Sequence, residues 1–249
     1  MTDYIYGLRA IIEAIDAGKE IDRVIIKKDL SGDLASELIE RVKQCRILVQ
    51  RVPIERLNRI TRKNHQGAVA MLSAITYHRL DYLVPQLYEE GLLPFVVLLD
   101  GITDVRNFGA IARTCECAGV DAIVIPEHGS VSVGGDAIKT SAGALHNIAV
   151  CRERSVKGAV KFLLDNGYTV VAASEKAETD YTGVNYTGPV AIVMGAEDVG
   201  ISPEVLKLCN AHVSIPMFGR IGSLNVSVAA GVMMYEVVRQ RLLENIDVI

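Results

Sequence analysis

The sequence predicts an α/β protein in two parts, a small N-terminal α/β unit followed by a larger open, mostly parallel sheet covered on both faces. Two observations carry this. From Phe95 onward, runs that are apolar on consecutive residues alternate with helix-length spacers, the pattern of parallel strands buried on both sides. Residues 1–75, in contrast, have a helix and strand alternation of their own and the opposite charge: 13 Lys+Arg against 10 Asp+Glu give net +3, while the remainder carries net −7. At 249 residues, with 50% hydrophobic and 22% charged residues, the chain can bury a sizeable core and lies far from the composition of disorder.

In the first unit, Leu8, Ile11, Ile12 and Ile15 recur at helical spacing between Tyr6 and Ala17, and Gly18 ends the pattern. A strand follows at Arg23–Ile26, a helix at Leu34–Val42, extended chain at Arg46–Val52, a short helix from Pro53 through Ile60, and a strand at Gly67–Leu72. The polar tip Asn64-His65-Gln66-Gly67 reads equally as a loop or a site. Tyr77–Leu93 reads as an amphipathic connector through Leu80, Leu83, Val84 and Leu87, broken by Gly91–Pro94. The expected division is therefore 1–75, a linker at 76–93, and 94–249. In the last part strands are expected at Phe95–Leu99, Ala122–Ile125, Ile148–Cys151, Thr169–Ala173, Ala191–Met194 and His212–Ile215.

The five cysteines include no CxxC, and Cys115 and Cys117 would point to different sides of a helix; reduced, mostly buried thiols are expected. The N-terminus lacks the features of a signal peptide and no apolar run approaches a membrane span, so a cytoplasmic location is expected. The net charge of −4 conceals a one-sided basic run: Arg41, Lys43, Arg46, Arg51, Arg56, Arg59, Arg62 and Lys63 face a single acid, Glu55. Such a run is either a solvated helix surface or a set of phosphate contacts.

In open parallel sheets ligands gather at the carboxyl ends of strands. Three such ends carry unusual chemistry. DGITDVRNFGAIART sets Asp104, Arg106, Asn107 and Arg113 before or within an otherwise apolar helix. Arg113 among Ala110, Ile111, Ala112 and Thr114 either reaches solvent or has a designated partner, and the partner is the expectation. GAEDVGIS places Glu197 between Gly195 and Gly200, and a GxExxG pattern alone is weak. IPMFGRIGSLNVSVAAGVMMYE runs from strand end through a glycine loop to Ser223 and Asn225 at the start of an apolar helix, where either side chain is an ordinary cap. The specific signal is the ordered set.

Taken together these stretches resemble the SpoU branch of the SPOUT superfamily, S-adenosylmethionine-dependent RNA ribose 2'-O-methyltransferases. LDGITDVRNFGAIARTCECAG is similar to the family's first motif, IVMGAEDVGIS to its second and IPMFGRIGSLNVSVAAGVMMYEVVRQR to its third; YGLRAIIEAI and NHQGAVA resemble its small RNA-binding domain. One departure is Val105, where the first motif commonly has proline. The resemblance implies an α/β trefoil-knot catalytic domain, a small L30e-like N-terminal RNA-binding domain and a homodimer. It places S-adenosylmethionine against Ala173, Ser174, Met194, Gly195, Ile215, Met217, Ser223 and Leu224. It gathers Asn107, Arg113, Glu197, Ser223 and Asn225 around the attacking 2'-oxygen, and adds His65 and Arg106 to the basic run as RNA contacts. Methyl transfer needs placement and proton handling, with no metal; the chain has no HExxH and no Cys/His cluster at zinc spacing. The expected target is a guanosine of large-subunit rRNA. A tRNA 2'-O-methyltransferase and a non-catalytic RNA-binding assembly factor are the alternatives, and a small-molecule enzyme ranks last for want of nucleotide fingerprints.

Overall fold

A computed structural model describes residues 4–246 of the chain. It divides into two compact units, one spanning Met1–Thr76 with Ser132–Asp136 and the other Tyr77–Val131 with Ala137–Ile249.

The first unit comprises β1 (Tyr4–Tyr6), α1 (Leu8–Asp16), β2 (Ile21–Lys27), α2 (Asp33–Gln44), β3 (Leu48–Val52), α3 (Ile54–Ile60) and β4 (Ala68–Leu72). Its sheet has the order β1-β4-β2-β3, with β2 and β3 parallel and the other pairs antiparallel. The apolar stripes of α1 (Ile11, Ile12, Ile15) and α2 (Leu38, Val42) close over Val24, Ile26, Ala68 and Ala70; Leu57 of α3 packs with Ile25 and Val69 on the other face. The helix read from Tyr6 begins at Leu8 because Tyr4–Tyr6 pairs with β4 as a strand. The N-terminus of α1 has no side-chain cap of its own. Gln66, at φ 51°, supplies one from 58 residues away by accepting the Leu8 N–H at 3.1 Å.

The second unit is built on one parallel sheet, in the described residues ordered β10-β12-β9-β11-β6-β7-β8-β5. Its elements are β5 (Tyr77–His78), α4 (Leu80–Glu89), β6 (Phe95–Asp100), α5 (Val105–Cys117), β7 (Ala122–Pro126), α6 (Gly135–Thr140, whose first two residues group with the other unit), β8 (Ala149–Glu153), α7 (Val156–Asp165), β9 (Thr169–Ala173), β10 (Thr179–Asp180), β11 (Val190–Gly195), α8 (Pro203–Leu206), β12 (Ala211–Ser214) and α9 (Val226–Ile246). Each run expected as a strand is present within two residues of its expected ends. Alternation sorts the faces: Val96, Leu98, Val124, Val170 and Val193 pack with α4, α7 and Val205 of α8. Helices α5 and α9 pack together, with Cys115 Sγ 3.4 Å from Met234 Sδ.

The stretch read as a connector is a correction. Tyr77–His78 adds an edge strand to β8, and Leu80 and Val84 enter the core beside Val160 and Leu163. Its amphipathic pattern had an immediate partner, so residues 77–89 belong to the second unit. Its start is held by Glu153, whose Oε1 accepts the Leu80 N–H at 2.9 Å.

Two expected outcomes follow from burial and charge. Cys45 and Cys117 are exposed, whereas burial pushes the Cys151 thiol up to about 12 and raises that of Cys115 as well; with a thiol reagent on the native protein, Cys45 and Cys117 should react well before Cys115 and Cys151. On α9, hydrogen bonds from Arg239, despite burial, hold the Glu236 carboxyl below its ordinary range, and Gln240 adds to them. That contribution is present above the unfolded carboxylate range and lost as pH falls through the lower folded value. In urea, the stability gap between wild type and Glu236→Gln should be full above about pH 5 and shrink below about pH 4.

Candidate active site

Three strand ends meet at the surface of the second unit. Beyond β6, Asp104 caps α5 by accepting the N–H groups of Arg106 (2.8 Å) and Asn107 (2.9 Å). That cap makes no use of the N–H of Val105, which stands at the first helical position, where proline is well tolerated. Beyond β11, Gly195–Gly200 turns tightly, and the Gly200 N–H donates to the Ala196 carbonyl at 2.8 Å. A Cβ on Gly195 would lie 2.3 Å from the backbone of Gly200 and Ile201, so no other residue fits this loop unmoved. Beyond β12, the chain reaches Asn225 at the head of α9.

Glu197 joins these ends. Its Oε1 accepts from Asn107 Nδ2 at 3.3 Å, from the Val226 N–H at 3.1 Å and from Asn225 Nδ2. Asn225 Nδ2 also donates to Asn107 Oδ1 at 3.0 Å, closing a triangle of side chains from three segments. Asn225 Oδ1 accepts the Ser227 N–H at 3.0 Å, so Asn225 caps α9 and bridges the cluster at once. Ser223 is not the cap; it is exposed on the preceding loop.

Below the cluster lies a cleft of about 220 Å³ at the carboxyl ends of β9, β11 and β12. Ala173, Ser174, Met194, Gly195, Ile215, Met217, Ser223 and Leu224 all line it, as does Glu197. The sequence reading missed Lys176, Asp198, Leu206, Val213 and Ala229 in its wall. Val213 falls in a run expected as a strand, Leu206 in none of the motifs, and Lys176 lies three residues past the end of β9, where no pattern marks a direction. The lining of strand-end and loop backbone suits a nucleoside bearing an amino-acid arm, with apolar Met194, Ile215 and Leu224 beside main-chain polar groups.

Arg113 is a correction. It is exposed on α5 and, among the described residues, has no ion-pair or hydrogen-bond partner within the chain. Phe108, Ile111, Ala112 and Cys115 fill the buried face, leaving Arg106 and Arg113, two turns apart, on the solvent side. His65 is a second correction. It is buried, its Nδ1 accepts the Gly67 N–H at 3.0 Å, and its Nε2 donates to Asn58 Oδ1 at 2.9 Å. Both ring nitrogens are committed to tying Asn58 of α3 to the turn before β4, which leaves neither for RNA. The remaining basic residues of the first unit are exposed. Arg41 pairs with Asp16 at 3.6 Å, Arg51 donates to the Lys28 carbonyl at 3.3 Å, Lys63 stands 5.4 Å from the Tyr6 ring, and Lys43, Arg46, Arg56, Arg59 and Arg62 face solvent.

With this geometry in place, comparison with known proteins is decisive. Residues 94–235 match the SpoU rRNA Methylase family, and residues 4–78 match the RNA 2'-O ribose methyltransferase substrate binding family. The chain belongs to the SpoU family. It is 35% identical over 237 residues to a Staphylococcus saprophyticus protein assigned to the TrmH family of tRNA/rRNA methyltransferases, covering 95% of either chain. Among solved structures, the AdoMet-bound rRNA methyltransferase of Sinorhizobium meliloti superposes with a TM-score of 0.60 at 26% identity, over 95% of this chain and 86% of that one. The TrmH/SpoU tRNA modifying enzyme of A. aeolicus gives 0.57 at 27% identity over 66% and 86%. The SpoU chain described here is an RNA 2'-O-methyltransferase by family, with its three motifs at the three joined strand ends.

In this SpoU protein Val105→Pro should keep the α5 cap and raise stability by about 0.4–1 kcal/mol, read from the urea midpoint. Gly195→Ala should instead cost about 1–3 kcal/mol, because the clash is with backbone.

Proposed function

We propose that this protein transfers the methyl group of S-adenosylmethionine to the 2'-hydroxyl of a guanosine in large-subunit rRNA, working as a homodimer in the cytoplasm. The observation that carries the chemistry is the junction of the cleft with the Asn107–Glu197–Asn225 triangle, Glu197 belonging to both. Ala173, Ser174, Met194, Gly195, Ile215, Met217, Ser223 and Leu224 would hold the cofactor, which when bound supplies an electrophilic methyl on a sulfonium. The chain's own side chains then have to orient the ribose and manage the hydroxyl proton.

Glu197 has one oxygen committed to three donors, so it positions Asn107 and Asn225. The Ser223 hydroxyl is exposed at the cleft and is assigned to the ribose. Arg113 offers donors only and stays protonated. It grips the phosphate beside the target and stabilises the developing alkoxide; the proton leaves through that phosphate or water. Its freedom from internal partners supports this role.

Three features support the finer reading. The rRNA methyltransferase neighbour matches along 95% of this chain, whereas the tRNA-modifying one matches along 66%. The N-terminal unit presents Arg41, Lys43, Arg46, Arg51, Arg56, Arg59, Arg62 and Lys63 to solvent, suited to phosphates. Val228, Tyr235 and Leu242 expose an apolar stripe along α9, suited to a second copy of the chain.

Arg113→Ala should bind S-adenosylmethionine within about twofold of wild type by calorimetry, yet lose on the order of 10²–10³ in single-turnover rate with saturating RNA. A near-normal rate would remove Arg113 from the site.

A further inference from the structure

A second cavity, of about 300 Å³, opens at the carboxyl ends of β6, β7 and β8 and takes no part in the cofactor assignment. The segment Gly195–Ser202 is its partition from the first cleft: Ala196 and Ile201 line the first, Ser202 lines the second. The partition is fixed to the end of β6, since the Ser202 N–H donates to Asp100 Oδ2 at 2.8 Å and a Cβ on Gly101 would stand 3.5 Å from that of Ala196.

The charges of this cavity are unevenly committed. Asp100 holds Ser202, and Glu204 is paired with Lys157 at 2.9 Å. Arg154 and His128 also line it, both exposed and, among the described residues, without an ion-pair or side-chain hydrogen-bond partner. Val156 and Lys157, the first residues of α7, complete this side of the lining. Arg154 and His128 thus leave donors for an anion while the carboxylates of the same lining are already engaged, and the volume suits one nucleotide.

We propose that this cavity holds the ribonucleotide adjoining the methylated one, with Arg154 and His128 on its phosphate, so that it sets the register of RNA across the partition. Arg154 and His128 are positioning residues. The assignment rests on the RNA methyltransferase reading and adds to it a subsite separate from both the cofactor cleft and the N-terminal unit.

The test uses full-length protein, methyl-labelled S-adenosylmethionine, and undermethylated ribosomal and transfer RNA from cells lacking the protein. The double variant His128→Ala, Arg154→Ala should raise the KM for RNA about tenfold or more. It should also flatten the salt dependence of RNA binding by about one to two ions released, while calorimetric affinity for S-adenosylmethionine holds. Arg154→Lys should restore the salt slope, which a merely structural role would not require. Both side chains are exposed; should the double variant nevertheless unfold, His128→Ala and Arg154→Glu are read singly, with the same change in KM and slope expected. Variants matching an active wild type in both KM and slope overturn this subsite alone. A wild type that methylates neither RNA refutes the activity itself and this subsite with it.

Discussion

One carboxylate oxygen ties the site together. Glu197 Oε1 receives donors from the head of α5, the head of α9 and the side chain that caps α9, segments separated by up to 118 residues in sequence. Without that acceptor the Val226 amide and the Asn107 amide group would need another partner, and the hydrogen bonds from the loop after β11 to the two helices beside it would be lost. The loop itself is held by shape, since Gly195 meets Gly200 and Ile201 at a separation that admits no side chain. Shape and hydrogen bonding thus converge on one short segment, which lines the cleft on one side and the neighbouring cavity on the other.

The sheet explains why these features coincide. With β12, β9, β11 and β6 adjacent and parallel, four successive chain exits open at one edge. A ligand there meets loop backbone from several exits, which is why no glycine-rich dinucleotide fingerprint is needed. Most of the basic side chains proposed for RNA, Arg106 and Arg113 on α5 and the run Arg41–Lys63 of the first unit, are exposed, where their charge stays hydrated until a phosphate arrives; His128 and Arg154 stand at the ends of β7 and β8 instead.

Much of this was legible in the chain, for identifiable reasons. Strands buried on both faces, such as Phe95–Asp100 and Val190–Gly195, announce themselves by consecutive apolar residues, and the strand-end rule points to the loops beyond them; the eight residues that line the cleft come from the resemblance to the SpoU motifs. Asn225 was open as either cap or site residue, and the structure shows it capping α9 while it donates to Asn107. What was illegible depended on distant partners. His65 is internal because Asn58 and Gly67 take its two nitrogens, and Gln66 is the cap of a helix 58 residues upstream. The two-residue strands β5 and β10 exist only through their neighbours β8 and β12. The outward aim of Arg113 follows from the helical spacing of Phe108, Ile111, Ala112 and Cys115, which define the opposite face of α5.

The most direct measurement is the chemical position of the transferred methyl. RNA labelled by the purified protein from methyl-labelled S-adenosylmethionine is hydrolysed in alkali, which cleaves every linkage that retains a free 2'-hydroxyl. The account predicts label in alkali-resistant dinucleotides carrying a 2'-O-methyl group; label released as mononucleotides, or none incorporated into any RNA, would contradict it.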